Sequence, residues 1–194
     1  IRPDNTGFAT LYPCNEDRPT ASTINYTTGQ TIANGATVKL DPNGDICVFT
    51  RTATHLIVDI TGYLPVDTDV VTVTPARLYE TRTGPDNTTV DGLQQGTGRR
   101  TNEQTTVVNI AGRHTIPNDA GAAIVNITAI RPDNTGFATL YPCNEDRPTA
   151  STINYTTGQT IANGATVKLD PNGDICVFTR TATHLIVDIT GYLD

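Results

Sequence analysis

The sequence predicts an all-β protein: tandem antiparallel β-sandwich units of about 129 residues, each built of two related halves. Three observations carry this. The first is composition: 37 of 194 residues are Thr, there is no Met or Trp, and only 17% are charged. Thr, Val and Ile dominate at the expense of Leu, Lys, Glu and Met, which suits pleated, half-buried backbone. The second is a repeat without a single change: Ile1 to Leu64 recurs as Ile130 to Leu193, an offset of 129 residues. The third is a succession of turn signals at short spacing, with no window of convincing 3.6-residue periodicity.

The elements follow in order. Pro3-Asp4-Asn5-Thr6-Gly7 reads as a turn feeding a strand from Phe8 to Tyr12. Asp41-Pro42-Asn43-Gly44 separates Ala36–Leu40 from Ile46–Thr50 and reads as the turn of a β-hairpin. Thr54 to Ile60 alternates, placing Leu56, Val58 and Ile60 on one face and His55, Ile57 and Asp59 on the other. Gly84-Pro85-Asp86-Asn87 is a further turn, and Val107–Ile110 and Ala123–Thr128 are further strands. Asp91 to Glu103 is poor in apolar residues and reads as a long exposed loop.

The repeat sets the domain organisation. Residues 1–64 read as the second half of a preceding unit, 65–193 as one complete unit (65–129 its first half, 130–193 its second), and residue 194 as the start of a further segment. Pro65 follows Leu64 whereas Asp194 follows Leu193, so identity ends at the unit boundary. With Ile1 at its start and no Met, the sequence is expected to be a piece of something longer. A fainter repeat lies inside the unit: Ala9-Thr10-Leu11-Tyr12 resembles Ala76-Arg77-Leu78-Tyr79, and Ile57-Val58-Asp59-Ile60-Thr61 resembles Ile124-Val125-Asn126-Ile127-Thr128, both 67 residues apart. Stacking of half-units into a β-solenoid is the alternative architecture, although solenoid coils are usually roughly 20–50 residues.

Charge and hydropathy exclude several classes. Thirteen Lys+Arg against 20 Asp+Glu leave a net charge of −7, which is no footprint for nucleic acid. No apolar run approaches the ~20 residues of a membrane span, so membrane insertion is not expected. The charged fraction is too low for a solvated disordered chain.

Cys14, Cys47, Cys143 and Cys176 fall two to a copy, 33 positions apart. Without a Cys-x-x-Cys pair or neighbouring His, zinc is not indicated. Equal spacing in an acidic, Thr-rich, Met-free chain points to Cys14–Cys47 and Cys143–Cys176 disulfides and an oxidising compartment; two buried free thiols per copy are the alternative.

Few residues of the sequence form a pattern that carries chemistry. Ser22 and Ser151 are the only serines, and neither sits in a Gly-x-Ser-x-Gly elbow. His55 and Asp59, repeated as His184 and Asp188, lie four apart on one strand face, a spacing that serves a ligand or, more simply, a mutual or Arg-mediated contact. His114 reads as solvated. Asp41, Asn43 and Asp45 start like a calcium loop but lack its Gly at the sixth position and Glu at the twelfth. No phosphate-cradling glycine pattern is present, so no enzyme activity, cofactor site or metal site is expected. Arg77 and Arg82 flank Glu80 and Thr81; with His184 and Asp188 they make a candidate structural polar cluster in which Arg82 is expected to meet Asp188. Asn-x-Thr sequons stand at Asn25, Asn87, Asn126 and Asn154, candidates for glycosylation that this much Thr also produces by chance.

Several of these motifs resemble a tandem secreted module of Actinobacteria and other bacteria. Its Pro-Ala-Arg-Leu-x-Asp-Thr-Arg entry is similar to Pro75–Arg82, with Glu80 in place of the usual Asp, and its His-Leu-Ile-x-Asp-x-x-Gly-Tyr exit is similar to His184–Tyr192. Val108–Gly112, Ile124–Thr128, Tyr141–Cys143, Arg147–Tyr155 and Cys176 also fit. The resemblance implies an extracellular spacer or binding module of surface proteins and cell-wall hydrolases, without its own catalysis.

The expected function is therefore structural: a repeat of an extracellular or cell-surface fibre, filament, stalk or adhesion array, whose partners are copies of itself. The apolar face of the 1–64 half would be completed by a neighbouring copy. The alternative is a module binding cell-wall or matrix glycan by avidity, with Tyr12, Tyr26, Tyr63, Tyr79 and their copies as the sizeable aromatic set.

Overall fold

In the computed structural model, which describes residues 1–58, 60, 63–65 and 68–194, the chain is all β and its sheets are antiparallel. Residues 65–193 form a sandwich of two four-stranded sheets. The first half supplies β4 (Val70–Glu80), β5 (Gln104–Asn109) and β6 (Ala122–Ile130). The second supplies β7 (Gly136–Pro142), β8 (Ile153–Tyr155), β9 (Thr160–Lys168), β10 (Asp174–Thr179) and β11 (His184–Leu193). One sheet has the order β5-β10-β7-β8, the other β4-β11-β6-β9. Both halves thus contribute strands to both sheets, and neither half closes a sandwich alone. The described sheets form neither a barrel nor a solenoid.

Residues 1–64 form a three-stranded sheet of order β2-β1-β3, from β1 (Gly7–Pro13), β2 (Ile24–Tyr26) and β3 (Ile46–Thr50). The identical sequence therefore has two structures, and hydrogen-bonding partners explain the difference. β1, β2 and β3 match β7, β8 and β10, whose mutual pairing is internal to one copy. β9 and β11 draw their ladders from β6 and β4, which the 65–129 half supplies. Without such partners the matching segments 31–40 and 53–58 form no strand. Asp59, on the alternating segment Thr54–Ile60, lies outside the described residues, as does Thr61.

The core lies between the two sheets and includes Leu78, Val108, Ile127, Val177, Leu185, Val187 and Ile189. β5 is an edge strand and alternates between buried and exposed residues. β11 is central and buried on both faces from Leu185 to Ile189, because its outer face is also covered. Pro75 sits in β4, an edge strand, where its missing N–H breaks no ladder.

The hairpin expected around Asp41 is not formed. In the complete unit the matching turn, Asp170 to Gly173, joins β9 in one sheet to β10 in the other. Asp170 Oδ1 accepts the N–H groups of Asn172 and Asp174 at 2.8 and 2.9 Å, and Gly173 takes φ +80°. A Cβ at Gly173 would lie 2.2 Å from that of Ala111, so the corner packs against the first half. Asp41 accepts from Asn43 and Asp45 in the same way, which commits this carboxylate to backbone donors.

Disulfides join Cys14 to Cys47 and Cys143 to Cys176. Around the second, Tyr141, Phe178 and Phe137 form a satellite cluster, and the Arg147 guanidinium lies 4.0 Å from the Phe178 ring centroid. Arg18 stacks on Phe49 in the first copy at 4.2 Å.

Candidate functional site

Four neighbouring strands place one polar row across the outer face of the β4-β11-β6-β9 sheet. Arg77 is the cross-strand partner of Asp188, Asp188 of Asn126, and Asn126 of Gly164. Arg77, Asp188 and Asn126 are all buried, although they point away from the core. What covers them is the first copy.

Contacts run along the row. Arg77 Nη2 donates to Thr20 O at 3.3 Å. The Ser22 N–H donates to Asp188 Oδ2 at 3.2 Å. Asn126 Nδ2 donates to Ser22 O at 2.6 Å, and Asn34 Nδ2 donates to Asn126 Oδ1 at 3.1 Å. The Gly164 N–H donates to Asn34 Oδ1 at 3.3 Å. A Cβ on Gly164 would lie 2.7 Å from Gly35 O, so glycine permits this approach of the two backbones. Thr74 Oγ1 donates to Glu16 beside the row and, as the main cause, holds that carboxyl below its ordinary range.

The charges are organised beneath the contact. Arg77 Nε donates to Asp188 Oδ1 at 2.9 Å, and Arg77 Nη1 to Glu80 Oε2 at 3.1 Å. Burial pushes the Asp188 carboxyl up, against the pull of Arg77 and of the Ser22 N–H. Glu80 is fully buried and also takes Arg82, through Nη2 at 2.8 Å and Nε at 3.0 Å. Asp188 therefore meets Arg77, and Arg82 is held by Glu80, two residues before it. Register decides this: Arg77 stands opposite Asp188 on β4, whereas Arg82 lies beyond the strand's end at Glu80.

His184 is not in contact with Asp188. Its Nδ1 is hydrogen-bonded to Thr81 Oγ1 at 2.9 Å, and burial, with Arg99 and Arg82 nearby, lowers its pKa. His55 is exposed, and its carbonyl accepts the amino group of Ile1 at 2.7 Å. His114 is exposed, with φ +52°. Among the sequons, Asn126 is buried with Nδ2 engaged, so it carries no glycan in this arrangement. Asn25 and Asn87 are half-buried and bonded to Ser22 and Thr83, while Asn154 is exposed.

The row is half of an interface, and the chain contains the other half twice. Ala21 and Ser22 are 2% and 6% exposed against the row, while the identical Ala150 and Ser151 are open to solvent. Residues 149–152 therefore present, unoccupied, the surface that residues 20–23 use. No protein-family model matches this chain, and no curated protein matches it.

Proposed function

We propose that the chain is a structural repeat of an extracellular fibre, stalk or cell-surface array, in which successive units dock head to tail. One observation carries the reading: residues from Thr20 to Asn34 read the Arg77–Asp188–Asn126–Gly164 row, and Thr149–Ser151, identical to the Thr20–Ser22 part of that segment, are exposed. Donor surface and acceptor row are different patches of one unit. Such heterologous contacts generate open filaments where the rotation between units does not close into a ring. The two disulfides fit an oxidising compartment, and the similarity of Pro75–Arg82 and His184–Tyr192 to secreted surface modules agrees with it.

The test is electron microscopy of chains with two and four consecutive units. Straight rods whose length grows in proportion to unit number are expected. Beads at random angles would overturn head-to-tail docking. Retention on insoluble cell-wall polysaccharide without rods would favour a glycan-binding module instead.

A further inference from the structure

We propose that residues 1–64 and 130–193 are interchangeable partners of the single 65–129 half, so that the sandwich can close with the copy before it as well as with the copy after it. This deepens the fibre reading and rests on it for its biological setting, although its physical basis lies within one chain.

Sequence identity is the first ground. Every side chain of residues 131–193 that β4, β5 and β6 touch has an identical counterpart in residues 2–64. The second ground is the chain path. Leu193 stands opposite Val70, and the Asp194 N–H donates to Asp69 O at 3.1 Å, so the end of β11 meets the start of β4. In the exchanged form Leu64 takes the place of Leu193. Five positions separate Leu64 from Val70 in the sequence, within the usual range of hairpin loop lengths.

At the other end the peptide bond from Ala129 to Ile130 has no counterpart, so in the exchanged form Ile1 takes the place of Ile130 and the chain leaves β6 after Ala129. Ile130 ends β6 opposite His184. In the first copy Ile1 is already bonded to His55, its amino group to His55 O at 2.7 Å and its carbonyl from the His55 N–H at 3.2 Å. The first rung of the missing ladder is thus in place. The internal frame of the copy is too: Arg2 N–H to Gln30 O and Asp4 N–H to Ala53 O match Arg131 to Gln159 and Asp133 to Ala182.

The driving force is visible in paired exposures. Leu56, Ile57, Val58 and Ile60 are 48%, 69%, 54% and 89% exposed; Leu185, Ile186, Val187 and Ile189 are 0%, 3%, 0% and 0%. Whichever copy closes the sandwich buries this strand, and the other leaves it in water. In the present form the orphan copy is held by the docking of Ser22 and Asn34 on the Asp188–Asn126–Gly164 row.

Three full-length variants test this in dilute solution: Val187→Asp, Val58→Asp and the double variant. Val187→Asp buries a carboxylate in β11 and blocks closure by the second copy. Limited proteolysis with mass spectrometry then reads which residues are protected. With interchange, Val58→Asp keeps a protected 65–193 core, Val187→Asp moves protection to 1–129, with cleavage there slowed roughly tenfold or more, and only the double variant loses its cooperative transition. If Val187→Asp is digested as readily as the double variant, interchange is wrong. That result would leave the rod-length test of the fibre reading untouched.

Discussion

Ser22 donates its backbone N–H to Asp188 across 166 positions of sequence, whereas Ser151, the same residue of the second copy, faces solvent. One sequence thus supplies a buried contact in one copy and an open surface in the other. The row that Ser22 reads has energetic consequences that can be measured.

Asp188→Ala leaves the buried Arg77 guanidinium with only Glu80 and a carbonyl. Removing one partner of a buried pair costs about 3–5 kcal/mol, far more than the pair's own net worth. Urea unfolding should show this loss, and Arg77→Met combined with Asp188→Leu should be much milder.

Gly164→Val should undock the first copy without unfolding the sandwich. The new Cβ meets Gly35 O, a backbone atom, while β9 keeps its ladder to β6. Hydrogen exchange at Ser22 should accelerate and exchange in β11 should stay slow. Gly35→Val is the control, because a Cβ there meets nothing within 4 Å.

Asp91 takes two bonds from Arg113, at 2.7 and 2.8 Å, and this pairing is the main reason its pKa falls from 3.8 to about 2. The folded pKa lies below the unfolded one, so the stabilisation is complete above pH 3.8 and disappears as pH falls through about 2. The pair is partly open to water, so screening holds it to about 1 kcal/mol. Asp91→Asn should therefore flatten the fall in Tm between pH 4 and pH 2, read by calorimetry.

Cys143→Ala with Cys176→Ala should destabilise the sandwich by about 3–4 kcal/mol, as expected for releasing a loop of 33 residues. The same change at Cys14 and Cys47 should leave the unfolding of 65–193 nearly unchanged, because that loop closes within the first copy.

Thr128 Oγ1 is buried without a hydrogen-bond partner among the described residues. Thr128→Val keeps the shape and removes the unsatisfied hydroxyl, so denaturant titration should show stabilisation of about 1 kcal/mol.

Much of this architecture was legible in the sequence. The Thr- and Val-rich strands, the turn residues and the repeat led to an all-β fold, because each depends on local backbone preference or on identity alone. The corner at Asp41 was misread because Asx-turn chemistry is the same whether the next strand joins the same sheet or the opposite one. Arg82 was preferred to Arg77 for Asp188 because register is set by tertiary pairing. The docking row was hidden for the same reason: its four residues come from four strands. A signal for it did exist. Asp59 and Asn126 occupy equivalent positions in Ile-Val-Asp-Ile and Ile-Val-Asn-Ile, and a polar side chain in the middle of such a run needs a partner outside the core.

The disulfides also bear on how such a chain answers tension. Each lies within one 64-residue copy, and none spans the two halves of the sandwich. Pulling can peel the halves apart while no covalent cross-link is strained. The 33 positions that each disulfide spans stay short-circuited, withholding roughly 110 Å of contour from every extended copy. A peeled half keeps its internally bonded sheet and its exposed apolar segment, ready to re-zip against the nearest 65–129 segment. An array built this way would yield under load in discrete, recoverable steps.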